Sequence, residues 1–179
     1  MFALRGRRAL EDAFRELVAF VDTLMTSGAD LSTVQHAPVF SYILTNKQIA
    51  KVKKVCQDEG WPMPRWRGIE ITVSTVAHIL DSRLSERGVT AAFVAEIMAA
   101  AYCENSEVYV NKRHGLKSNQ GHDEQAVFLN AVTKLPLNGT KWSAVAIVAL
   151  NHQDAEGQKK MASITAYYAD EAKIRSIKR

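Results

Sequence analysis

The stretch SAVAIVALNHQDAEGQKKMASITAYYA (143–169) decides the fold. The run from Ser143 to His152 is almost wholly apolar, QDAEGQ breaks it, and Lys159 to Ala169 then alternates along its length. Two strand-length runs joined by a short connection containing Glu-Gly predict an antiparallel hairpin. Ahead of it, QAVFLNAVTKL and the turn PLNG supply a third strand. SEVYVNKR (106–113), with Val108 and Val110 on one face, supplies a fourth, and the polar loop HGLKSNQGHDE joins the two. The expectation is a meander of four antiparallel strands.

Upstream the period changes from two to 3.6. STVAHILDSRLSERG (74–88) places Val76, Ile79, Leu80 and Leu84 in one stripe. After Gly88, Thr90 caps a second helix whose stripe is Phe93, Val94, Ile97, Met98 and Ala101. IEITVS before them reads as a strand. Ala9 to Met25 is helical by its spacing of Leu10, Phe14, Leu17, Val18, Val21, Leu24 and Met25, and TNKQIAKVKKVCQDEG is a basic helix that stops at Gly60. VQHAPVFSYIL is ambiguous because Pro38 interrupts it. WPMPRWRG has two prolines in four positions and cannot continue a helix. Those breaks predict a helical N-terminal region at 1–60, a linker at 61–68 and an α+β domain at 69–179 that ends in a short basic helix from Asp170. The expected class is α+β, with N-terminal helices followed by a four-stranded antiparallel sheet. Helices cover one face of that sheet and leave the other partly open.

Apolar residues are 47% of the 179 and charged residues 23%, a globular balance that excludes a disordered chain. No run is long enough for a membrane span, and the basic start MFALRGRRAL lacks the apolar core of a signal peptide, so a cytoplasmic protein without a membrane partner is expected. Cys56 and Cys103 sit in helical patterns and are expected as reduced thiols. The five histidines (His36, His78, His114, His122 and His152) are scattered with no pair at i, i+4, so no metal and no cofactor is expected. The net charge of +4 is gathered in KQIAKVKK (47–54), NKRHGLK (111–117) and KIRSIKR (173–179). Each of these fits a solvated face or a contact with a polyanion.

Three places offer chemistry. Period-two alternation in the last strand puts Ser163, Thr165 and Tyr167 on one face, opposite Ala162, Ile164, Ala166 and Tyr168. Such a hydroxyl row can bond phosphate oxygens, and a tyrosine ring can stack on a base; it is equally what a solvent-facing strand contains. In the helix from Ser74, Arg83 falls in the packing stripe and needs an anionic partner, while His78 lies on the polar side. Lys112, Arg113 and His114 end a strand where a phosphate-binding rim can form. Metal-free RNA cleavage needs these types: a group near neutral pKa for the proton steps and cations for the developing charge.

ITVSTVAHILDSR, then GVTAAFVAEIMA, then strands, and finally SITAYYADEAKIRSI, resemble the phage and polymorphic-toxin nucleases of the barnase–EndoU–colicin E5/D–RelE-like (BECR) group. Those domains place helices before a four-stranded antiparallel sheet. The resemblance covers Ile69 to Arg179. His78 and Ile79 match the start of that group's helix motif, Arg83 stands where a second histidine is often found, and Thr165 and Tyr167 match its late-strand motif. With Arg83 in that place, the arginine would act as an electrostatic substitute, or His114 or His152 would carry the proton. The resemblance implies a metal-independent ribonuclease toxin acting on RNA such as tRNA. Its catalytic set would be His78, Arg83, Thr165 and Tyr167, and its substrate contacts Lys112, Arg113, His114 and Ser163. An immunity or antitoxin protein would be its partner. The alternatives are a non-catalytic module of phage or mobile-element origin that binds nucleic acid or protein, and an ADP-ribosyltransferase-type toxin.

Overall fold

The computed structural model describes residues 2–4, 7–35, 38–111 and 124–179. At its centre is the expected hairpin, β6 (Thr140–Gln153) against β7 (Lys159–Ala169), extended by β5 (Gln125–Leu137) and β4 (Glu107–Val110) in antiparallel register. The turn between β5 and β6 is Asn138-Gly139, both at positive φ, the backbone that tight hairpins require. Asn138 also donates to the carbonyl of Arg87 at 2.8 Å, and a Cβ on Gly88 would meet its side chain at 2.5 Å. That hairpin tip is therefore docked on a glycine.

The sheet is larger than the sequence pattern suggested, and it is mixed. β3 (Gly68–Thr72) pairs parallel with β7, β2 (Pro38–Ile43) pairs antiparallel with β3, and β1 (Phe2–Leu4) pairs parallel with β2, giving the order β1-β2-β3-β7-β6-β5-β4. The four-stranded expectation is corrected to seven strands among the described residues, within the α+β class. Pro38 is tolerated because it opens its strand, where a missing N–H costs little.

The division at residues 61–68 is corrected too. Leu10 and Phe14 of α1 (Arg7–Thr26) and Phe40 and Tyr42 of β2 share one continuous core with Ile97 of α4 (Ala91–Ala101), Phe128 and Ala166. An apolar strand and an amphipathic helix cannot bury their faces alone, so the N-terminal segment completes the same core. Residues 61–67 run back along α2 (Asn46–Glu59), from its C-cap Gly60 to its first residue. Pro62 accepts from Asn151, and Arg67 bonds the Leu44 carbonyl and Asn46.

One sheet face is covered by α3 (Val73–Arg83), α4 and α1. The alanine-rich α4 is buried on nearly every side, as expected of a helix apolar all round. On the other face, α5 (Glu171–Lys178), capped by Asp170, lays Ile174 and Ile177 on Val127, Leu129, Val145 and Ile147. No helix among the described residues is long and apolar enough to cross a membrane.

Candidate functional site

The last strand carries the first correction to the predicted site. Thr165 pairs with Ile147 but Ser163 pairs with Val148, so Ile164 is an extra residue, a β-bulge. The bulge breaks the alternation. Ser163 turns beneath the helices, 5% exposed, and its hydroxyl accepts from the Tyr102 phenol, which is buried among Phe14, Tyr42 and Phe128. Ser163 is thus removed from the substrate face on which it was expected. Thr165 and Tyr167 stay on the opposite face with Ile164, half-buried beside the cluster that α5 covers.

Burial pushes the Tyr102 phenol well above its ordinary pKa, so it remains a neutral donor to Ser163. Tyr102→Phe should lower stability by about 1–2 kcal/mol, measured by urea unfolding. The double variant with Ser163→Ala should recover part of that loss, because no orphaned hydroxyl remains. Cleavage activity should not change.

The second element of the site is α3. β3 pairs with β7 only at Ile69–Met161 and Glu70–Ala162. After Thr72, which caps the helix by accepting from the Thr75 amide, the chain turns directly into α3. The Thr75 hydroxyl donates to the Ser163 carbonyl at 2.9 Å, so the helix takes the place of a strand along the free edge of β7. At 100° per residue, Val76, Ile79 and Leu80 turn from Thr75 toward the core, while Ser82 and His78 turn about 20° and about 60° the other way. His78 is exposed on that flank.

Arg83 ends α3 at the level of Tyr167 and Tyr168. One of its terminal nitrogens pairs with Glu86, which also accepts from the Tyr168 phenol, and its Nε is buried with no hydrogen-bond partner among the described residues. The anionic partner that the packing stripe demanded is therefore three residues away. Burial raises the Tyr167 phenol while Arg83 pulls it down; burial and Glu86 push Tyr168 up to about 12. At the other end of the same face, Lys160 binds both Glu70 and Asp154 at 3.0 Å, and these carboxylates hold its ammonium above the ordinary lysine range. His152 is exposed opposite Lys160.

The fold thus brings Arg83 alongside Tyr167, leaves His78 exposed on another flank of α3, and buries Ser163 away from them. Lys112, Arg113 and His114 lie outside the described residues. The sequence reading missed Thr75, which fixes the helix to the strand, and Glu86, whose i, i+3 spacing from Arg83 was a usable signal. A cavity of about 640 Å³ opens elsewhere, lined by Leu10, Tyr42, Arg67, Ala99 and Leu135 among others, and contains none of the predicted residues. Among the described residues, no three His, Cys, Asp or Glu side chains gather to hold a metal ion. Comparison with protein-family models, curated proteins and solved structures finds no match.

Proposed function

We propose that the chain is a metal-independent ribonuclease of the BECR kind, working at the rim where α3 flanks β7. One observation carries the reading: Arg83, at the end of a helix tied to β7 by Thr75, lies close enough to Tyr167 to lower its phenol, which sets a cation beside the late-strand motif. His78 takes the proton of a 2′-hydroxyl. The 2′-oxygen then bonds to the adjacent phosphorus, the bond to the 5′-oxygen breaks, and that oxygen takes its proton from solvent. The Thr165 hydroxyl is a donor for the phosphate oxygens, and the partly exposed Arg83 guanidinium supplies positive charge beside them. The Tyr167 ring is a platform for a base. A protein inhibitor of such an enzyme would cover this rim.

A second reading has its own support. Arg83 and Lys160, cations of this face, are both engaged by carboxylates, which favours a module that binds without cleaving. Incubation with tRNA and total RNA in EDTA separates the two. The nuclease reading expects fragments ending in 2′,3′-cyclic phosphate and 5′-hydroxyl. Intact RNA across the pH range sinks it, and a salt-dependent gel shift without cleavage selects the binding module.

A further inference from the structure

Two of the basic stretches, at 47–54 and 173–179, take no part in the β7 rim, yet the fold brings them to one place. α2 packs along β4, the last strand of the sheet, with Gln48, Val52, Val55 and Cys56 buried. At 100° per residue, Lys47, Lys51 and Lys54 fall within about 60° of one another on one flank of that helix, spaced about a turn apart. All three are exposed, and Lys54 is paired with Asp58 at 2.9 Å. α5 lies on the opposite sheet face with Ile174 and Ile177 inward, and its Lys178 Nζ is 3.7 Å from Glu107 Oε2 on β4. The hydrogen bond from Tyr109, together with Lys178 and Lys47, holds the Glu107 carboxyl below its ordinary range. Lys47 and Lys178 therefore stand around one β4 carboxylate, and the flank of α2 that carries Lys47 continues through Lys51 and Lys54.

We infer that this edge, the lysine stripe of α2 with the Lys178 end of α5 across β4, docks the phosphate backbone of an RNA strand. The inference rests on the reading that RNA is the substrate, and it adds a second contact surface remote from the β7 rim. The chemistry of the surface selects the occupant. The exposed large apolar side chains among the described residues are Phe20, Val34, Met63, Trp66, Leu84 and Val132, and none lies on α2, α5 or β4. A protein partner needs an apolar interface core, which this edge lacks. A polyphosphate needs only closely spaced ammonium groups and the counterions they release.

The test is fluorescence anisotropy with a short single-stranded 2′-O-methyl RNA, which has no attacking hydroxyl and reports binding alone. Lys47→Glu/Lys51→Glu/Lys178→Glu should weaken binding about tenfold or more at moderate salt. The slope of log affinity against log salt should become shallower by about 2, from roughly 0.7 for each of three lost phosphate contacts. Lys→Arg at the same three positions should retain binding, and Arg8→Glu, at an exposed position of α1, should change it little. Circular dichroism checks that each variant is folded, with Lys→Gln at the same positions as the milder set. Unchanged affinity in both the Glu and Gln sets overturns the docking surface and leaves the rim reading standing if ordinary RNA is still cut. Wild-type protein that cuts RNA but does not bind the oligonucleotide overturns it as well. Neither binding nor cleavage sinks both.

Discussion

His78→Ala should leave secondary structure and thermal midpoint unchanged and lower RNA cleavage by about 10²- to 10⁴-fold. The first half of that expectation follows from exposure: the ring is on the solvent side of α3, away from Val76, Ile79 and Leu80, so nothing in the core depends on it. The second half follows from the proposed chemistry, because removing a positioned proton acceptor acts on the transition state, so kcat should fall with little change in KM. Thr165→Ala should have a smaller effect of the same kind. Arg83→Ala is a poorer probe, since it leaves the half-buried Glu86 carboxylate with Tyr168 alone and disturbs the end of α3. Initial rates on a defined oligoribonucleotide in EDTA make the measurement. Wild-type rates from the His78→Ala protein would remove His78 from the mechanism; residual cleavage with a displaced pH optimum would move the proton transfer to another group, such as His152.

The sequence made the meander from β4 to β7 legible because its turns are chemically explicit: Asn138-Gly139 and Gly157 supply positive φ where the chain reverses. The bulge at Ile164 has no such marker. SITAY reads as uninterrupted alternation, and the extra residue appears only when β7 is paired with β6, a non-local fact. For the same reason the parallel pairing of β3 with β7 was invisible, since neither strand encodes its neighbour. Pro38 hid a strand by being read as a break, although the first position of a strand accepts proline. Pro62 and Pro64 did exclude helix from residues 61–68, but this stretch is bonded to Asn151 of β6 and to the Leu44 carbonyl ahead of α2 instead of separating two units. In the site, the convergence of Arg83 with Tyr167 depends on α3 lying along β7, and a hydrogen bond that helps hold it there, from Thr75 to the Ser163 carbonyl, joins a surface-type hydroxyl to a backbone oxygen.

Gln48→Ala should be among the most destabilising single substitutions in the protein, by about 3–5 kcal/mol in denaturant unfolding. Gln48 is 2% exposed, and its amide is fully used. Its oxygen accepts from the Tyr42 phenol at 2.8 Å and the Thr45 amide at 3.1 Å; its nitrogen donates to the carbonyls of Cys103 at 2.8 Å and Ser106 at 3.1 Å. Those partners belong to different parts of the fold: β2 near one edge of the sheet, the cap of α2, the end of α4, and the chain just ahead of β4 at the far edge. One side chain therefore links segments near the two edges of the sheet, and truncating it removes a bond from four groups at once. Gln48→Glu sharpens the test. A carboxylate there faces the Cys103 and Ser106 carbonyls with no proton to give, so burial and those oxygens raise its folded-state pKa above the unfolded value. Its destabilisation should then be full at neutral pH and shrink as pH falls through that raised pKa, whereas the Gln48→Ala deficit should not show this pH-dependent recovery. Equal pH profiles for the two variants would mean that Gln48 fills space and its hydrogen bonds do not hold the edges together.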